Sequence, residues 1–241
     1  MNSQNPVVAI IAAAGEGRRF SLDSSKENPK QCRMLLNYPL YMWSLREFIS
    51  SAYVSSIILI GNEYILSSMQ EQVAAFDTEK RIDVICGGKS RQESVYLGLK
   101  QSESHTPKPT HALIHDAARP LITKKDIDAV ALAVIASGAA TMASVVPDTV
   151  KKVDRDSLYI KETLNRDELY LAQTPQGGRL DWLLEAHNKL VLKGQEVTDD
   201  AACLERAGHS VKVVPGSRFN IKVTHSEDMD ICRYILSNRS L

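Results

Sequence analysis

Little in this chain points to the commoner extracellular or nucleophile-based designs. Its 241 residues include four cysteines, Cys32, Cys86, Cys203 and Cys232, and no two stand at metal-ligand spacing. That argues against a disulfide scaffold or a zinc ribbon, and a reduced, cytoplasmic setting is expected. Formal net charge is zero, from 29 basic and 29 acidic residues. General binding to nucleic acid or to an anionic membrane needs a basic excess, so neither is an expected partner. Near the start, the apolar stretch 7–14 is far short of the roughly 18 residues that a membrane span needs. Residues 1–6 are polar and lack the charged-then-apolar plan of a signal peptide. G-x-S-x-G, H-E-x-x-H and C-x-x-C are all missing.

What is present is alternation. Strand-like runs at 7–11, 56–60, 82–86, 112–115 and 141–146 are separated by helical patterns at 41–49, 63–76, 90–100 and 126–136. Strands alternating with helices predict an α/β fold with a doubly wound, mostly parallel sheet. Ligands then bind outside the carboxyl ends of the strands. The alternation breaks at about 147–172, where short strands at 149–153 and 158–160 flank the turn-like Asp154-Arg155-Asp156-Ser157. An isolated hairpin is marginal in water, so this arm is expected to pack on something, such as a second subunit. Helices at 181–193, after Asp199-Asp200 and at 227–236, with a strand at 211–214, complete what reads as one domain over 1–241 with an arm insertion.

The first strand runs into Ala12-Ala13-Ala14-Gly15-Glu16-Gly17-Arg18-Arg19-Phe20, and Lys30 follows eleven residues after Arg19. Glycines allow close backbone approach, and successive N–H groups form an anion-binding concavity. Together with three cations this predicts a polyphosphate site. Phe20 stands where a dinucleotide fingerprint needs its third glycine, which disfavours a nicotinamide site. A second glycine turn, Gly87-Gly88-Lys89-Ser90, ends like a Walker A loop, but Asp83 occupies the place of that motif's first glycine. Ser90 and Glu93 instead fit a capping box, while Gly88, Lys89 and Ser94 remain free to face a ligand.

Three other segments carry candidates. His115-Asp116-Ala117-Ala118-Arg119-Pro120 ends the fourth strand-like run, and Asp116 beside a polyphosphate site suits Mg²⁺, with a loop cap paired to Arg119 as the alternative. His115 reads as a satisfied core histidine. Arg166, in Thr163-Leu164-Asn165-Arg166-Asp167, would by itself be a surface charge. Thr224 and Glu227 form another capping-box pattern, which leaves Lys222 unexplained. This inventory suits a reaction in which a phosphate is the nucleophile. A phosphate is already largely ionised at neutral pH and needs no general base, so positioning and charge neutralisation supply the catalysis.

In order along the chain, AAAGEGRRF, PKQ at 29–31, GGKSRQESV at 87–95, HDAARP at 115–120, DTVK at 148–151, TLNR at 163–166, QTPQ at 173–176, TDDA at 198–201 and NIKVT at 220–224 resemble the 2-C-methyl-D-erythritol 4-phosphate cytidylyltransferases. The resemblance spans nearly the whole chain. It implies a Rossmann-like nucleotidyltransferase with a protruding β-arm for dimerisation, acting on CTP and methylerythritol phosphate with Mg²⁺ or another divalent cation. By motif match, Arg19 and Lys30 would hold the triphosphate and stabilise the phosphorus under attack. Ala13, Ala14, Gly15 and Gly17, with Gly88, Lys89 and Ser94, would surround the nucleotide. Asp116 would bind the metal, with Arg119 nearby. Thr149, Arg166, Thr174, Thr198 and Lys222 would hold the polyol phosphate, with Lys222 and Arg166 also catalytic. The arm implies a homodimer with arm exchange, in which Thr149 and Arg166 serve the partner's site.

Two departures stand out. The span from Arg19 to Lys30 is longer than the family's usual loop, and Lys89 stands where the family often has a shorter acidic or polar residue. The alternatives are a ribitol 5-phosphate cytidylyltransferase, whose relatives tend to show L-A-G-G and H-D-A-V-R-P, and a non-catalytic nucleotide-binding dimer.

Overall fold

The structure, a computed structural model, describes residues 6–15, 20, 29–192 and 194–239. The described chain runs β1 (Val7–Ala12), β2 (Met34–Leu35), β3 (Tyr38–Pro39), α1 (Leu40–Ser50), β4 (Val54–Gly61), α2 (Leu66–Ala74) and β5 (Arg81–Cys86). It continues with α3 (Arg91–Ser102), β6 (His111–Asp116), α4 (Lys124–Ser137), β7 (Ala139–Val145), β8 (Lys151–Val153) and β9 (Ile160–Thr163). It ends with β10 (Tyr170–Arg179), α5 (Leu180–Leu192), α6 (Asp200–Arg206), β11 (Lys212–Pro215) and α7 (Glu227–Ser237).

Seven strands form one sheet in the order β11-β7-β10-β6-β1-β4-β5. β1 lies parallel to β4 and β6, with Ile10 opposite both Ile58 and Ile114. Side chains alternate across a strand. Val7, Ala9 and Ile11 therefore face a core shared with Leu45, Phe48, Met69 and Val130, while Val8 and Ile10 face Val95, Leu99, Leu180 and Leu183. Helices cover both faces, which is why β1 reads as an unbroken apolar run. Each fully buried Val or Ile there contributes about 1.5–3 kcal/mol.

The doubly wound expectation holds, with one strand of the main sheet that periodicity did not reveal; the short β2–β3 pair, a separate sheet, was not expected either. β10 enters antiparallel between β6 and β7 and carries Gln173-Thr174-Pro175-Gln176-Gly177-Gly178. Proline and glycine are depleted in strands. Here the register shifts between Ala172 and Gln176, so Pro175 sits at the irregularity. Gly177 lies so close to β6 that a Cβ would stand 2.3 Å from the Ala112 carbonyl oxygen.

Local hydrogen bonds shift two element boundaries. α2 starts at Leu66 rather than 63, because Asn62 Oδ1 accepts from the N–H groups of Tyr64 (3.1 Å) and Ile65 (3.2 Å) and holds a turn. α4 starts at Lys124 because Thr123 and Asp126 form a complete capping box there. The arm is a hairpin of β8 and β9, a little displaced from the expected strands, and Thr149 precedes it. Asp154 closes its turn by accepting from the N–H groups of Asp156 and Ser157. Leu158, Tyr159 and Ile160 stand 75%, 78% and 62% exposed on it. Among the described residues, no helix is long and apolar enough to cross a membrane.

Candidate active site

The carboxyl ends of β1, β5 and β6 meet along one edge of the sheet. Ala12 pairs with Asp116 in register, and the Ala13 N–H donates to the Ile60 carbonyl at 2.8 Å. A cleft of about 1020 Å³ opens there. On one side it is walled by Ala14 and Gly15, on the other by Gly87, Gly88 and Lys89. Gly87 permits this approach, because a Cβ on it would lie 2.7 Å from both Ala14 Cβ and Ser94 Oγ. Ser94 Oγ donates to the Ser90 carbonyl (2.8 Å) and accepts from the Gly88 N–H (3.1 Å), so it shapes the turn from inside. Ser90 caps α3 by accepting from the Glu93 N–H, but the Glu93 carboxylate bonds the Lys89 N–H at 2.7 Å and leaves the box half-made.

Asp116 is 8% exposed at the floor of the cleft. Its Oδ1 accepts from Arg91 Nε at 2.7 Å, and its Oδ2 accepts from Lys222 Nζ at 2.6 Å. Burial alone would raise its pKa, and the charges and hydrogen bonds of Arg91 and Lys222 outweigh that and hold it well below the ordinary carboxylate range. The alternative pairing of Asp116 with Arg119 is not formed. Arg119 turns away, donating from Nη1 to the Asn220 carbonyl at 2.7 Å and from Nη2 to that of Ala172 at 3.4 Å. Lys30 is also buried beside the cleft, and its Nζ donates to the Val223 carbonyl on the segment that carries Lys222.

His115 is the satisfied core residue that its position suggests. Nδ1 lies 3.0 Å from Thr174 Oγ1, Nε2 lies 3.3 Å from the Arg119 carbonyl, and burial pushes its pKa down to about 3. Thr174 Oγ1 also accepts from the Asp116 N–H at 3.1 Å. The threonine is buried and its hydroxyl fully engaged, so it orients Asp116 rather than facing the cleft.

The cleft thus gathers Ala14, Gly15, Lys30, Gly88, Lys89, Ser94, Asp116 and Lys222. Ala13 is fully buried behind it. Arg119 and Thr174 do not line it, and Thr149, Arg166 and Thr198 are exposed away from it in the single chain. Arg166 Nη1 donates to the Pro147 carbonyl at 3.0 Å. Gly17, Arg19 and the longer loop at 21–28 lie outside the described residues. The Thr224–Glu227 capping box does not form, because Asp228 Oδ2 accepts from the N–H groups of Thr224 (2.7 Å) and His225 (2.8 Å) instead.

Arg91 is the site residue that sequence reasoning missed. The signal was present: Arg91 opens α3, and the positive end of a helix dipole disfavours a cation. A cation there implies a carboxylate partner elsewhere.

A mostly parallel α/β sheet with a glycine-walled, cation-lined cleft at its carboxyl edge defines the chain as a nucleotidyltransferase. It matches the family model of 2-C-methyl-D-erythritol 4-phosphate cytidylyltransferase over residues 7–238, and the chain belongs to that family. A relative of that name from Pelotomaculum thermopropionicum is 38% identical over 237 residues, covering 97% of this chain and 95% of its own. One from Bacillus cytotoxicus is 37% identical, covering 94% and 96%. The crystal structure of a 4-diphosphocytidyl-2C-methyl-D-erythritol synthase from Anaerococcus prevotii superposes with a TM-score of 0.81 at 27% identity, covering 97% of this chain and 99% of its own. That of the Francisella tularensis cytidylyltransferase gives 0.73 at 30% identity, covering 95% and 99%.

Proposed function

We propose that the cleft transfers the cytidylyl group of CTP to 2-C-methyl-D-erythritol 4-phosphate, releasing pyrophosphate, in the non-mevalonate route to isoprenoids. The observation that carries this reading is Asp116, held between Arg91 and Lys222 at the floor of a glycine-walled cleft in a chain of this family. A phosphate oxygen of the acceptor forms a bond to the α-phosphorus of CTP, and the bond from that phosphorus to the bridging oxygen of the β-phosphate breaks. The acceptor arrives ionised, so no side chain has to remove a proton. Ala14, Gly15, Gly88 and Lys89 receive the nucleotide, and Ser94 keeps the Gly88 turn in shape. Lys30 and Arg19 neutralise the triphosphate, and Lys222 stands at the reacting centre beside Asp116. Thr174 acts by orienting Asp116, and Arg119 braces the segment that carries Lys222.

The residues fit a magnesium ion. Each Asp116 oxygen accepts one hydrogen bond and keeps lone-pair capacity, and no group of three acidic, histidine or cysteine side chains that could cage a metal exists among the described residues. Magnesium habitually takes one or two carboxylates and completes its shell with substrate phosphates and water. Bound there, it would neutralise triphosphate charge.

The exposed Leu158, Tyr159 and Ile160 favour a homodimer in which each arm crosses to the other protomer. Thr149 and Arg166 would then reach the partner's polyol phosphate, with Thr198 approaching from the α6 side. The test is pyrophosphate release from CTP with Mg²⁺. Release is expected only when methylerythritol 4-phosphate is added, and equal turnover with ribitol 5-phosphate would overturn the assignment.

A further inference from the structure

Arg91 bridges two carboxylates from different parts of the fold. Its Nε donates to Asp116 Oδ1 at 2.7 Å and its Nη2 to Asp200 Oδ2 at 2.8 Å. Asp116 faces the cleft, whereas Asp200 is 1% exposed on α6 and does not line it. Helix capping does not account for Asp200. Asp199 performs that task, accepting from the Ala202 N–H at 2.9 Å, while its other oxygen accepts from Gln176 Nε2 at 2.9 Å. The second oxygen of Asp200 faces His187 on α5, with Nε2 3.3 Å away. The His187 ring is fully buried and makes no hydrogen bond to any other group. Burial would raise the pKa of Asp200, but the charge of Arg91 and its contacts hold it below the ordinary range, so the carboxylate stays ionised.

Burying the Asp200 carboxylate against a part-exposed Arg91 is costly, and a hydrophobic pair of similar volume is often no less stable. The bridge has a geometric consequence instead. A guanidinium is a planar fork, and with one arm fixed on Asp200 it offers Asp116 only Nε. Without Asp200 the fork is able to turn and take both oxygens of Asp116 in a bidentate pair. Oδ2 would then be shared between Arg91 and Lys222, and the carboxylate would be drawn toward Arg91 and out of the cleft.

We infer that Asp200 is a positioning residue for cytidylyl transfer: backed by His187, it fixes the Arg91 fork so that Asp116 keeps one oxygen for Lys222 and faces the reacting phosphates. This rests on the cytidylyl-transfer reading. The variants are Asp200→Asn, Arg91→Lys and the double variant, with kcat and both KM values measured beside the wild type and CTP affinity measured by calorimetry. Asp200→Asn is expected to lower kcat about 10²-fold, the scale of an ångström's misplacement, while KM and affinity for CTP stay within about threefold. The double variant is expected to be no slower than Arg91→Lys alone, because Asp200 acts through Arg91. Losses that multiply, or an unchanged kcat in Asp200→Asn, would overturn the inference. If Asp200→Asn does not fold, Asp200→Glu keeps the charge with a displaced carboxylate. A normal unfolding temperature with kcat down at least tenfold would then support the inference, and a wild-type kcat would overturn it. Failure of the wild type to release pyrophosphate would sink the cytidylyl-transfer reading itself, which is a separate result.

Discussion

Lys222 Nζ donates to Asp116 Oδ2 at 2.6 Å, across 106 positions of sequence. The pair joins the last segment before α7 to the end of β6, and under the proposed function it places a cation where the transferred phosphoryl group develops charge. Replacing Lys222 with Ala is expected to lower kcat by about 10²–10³, as for other preorganised donors at a transition state. CTP affinity should change far less, since Arg91 still holds Asp116. Steady-state kinetics with a CTP titration decide the matter, and a loss confined to KM would place Lys222 in ground-state binding only.

The proposed sharing of a site between protomers has its own signature. Lys30→Ala and Arg166→Ala are each expected to be nearly inactive as purified homodimers. When the two are mixed and allowed to exchange, a mixed dimer carries one site with both residues intact. Activity should therefore reappear. Its absence, with subunit exchange verified by mass, would count against arm exchange.

Gly87 tests the wall of the cleft. In Gly87→Ala the new methyl would sit 2.7 Å from Ala14 Cβ and Ser94 Oγ, and neither neighbour is the end of a long flexible chain. Overpacking of this kind costs about 1–3 kcal/mol. We expect a lower unfolding temperature together with weaker CTP binding. Stability and affinity both at wild-type levels would show that the two turns have room to separate.

Asp83 predicts an acid dependence remote from the cleft. Burial would raise its pKa, but hydrogen bonds from Arg81, Gln101 and His105 hold it down to about 2. An unfolded aspartate takes up its proton near pH ~3.9. The stability that Asp83 contributes is whole above that value and is lost as pH falls toward about 2. Asp83→Asn should be less stable than wild type near neutrality and show a flatter loss between about pH 4 and about pH 2. Parallel slopes in urea titrations across that window would contradict this.

Local pattern made much of the molecule legible. Apolar patterning gave the order of the helices and of the main-sheet strands other than β10, and the small residues around Gly15 and Gly87 marked where a ligand approaches backbone. Asp116 was recognisable from its place at a strand end. These features depend on neighbours within a few residues, so sequence spacing carries them. β10 was hidden because its proline and glycines are tolerated only through a register irregularity and a close approach to Ala112, which depend on its neighbours in the sheet.

The sequence by itself determined the alternating plan, the two glycine turns and the set of charged residues available to a phosphate. Tertiary structure alone decided how those charges pair. Asp116 had Arg119 three residues away, yet it pairs with Arg91 and Lys222, 25 and 106 positions distant. Nearness in sequence does not settle such a choice. A buried carboxylate takes whichever donors the packed sheet aims at it, and here the backbone carbonyls of Ala172 and Asn220 had already claimed Arg119.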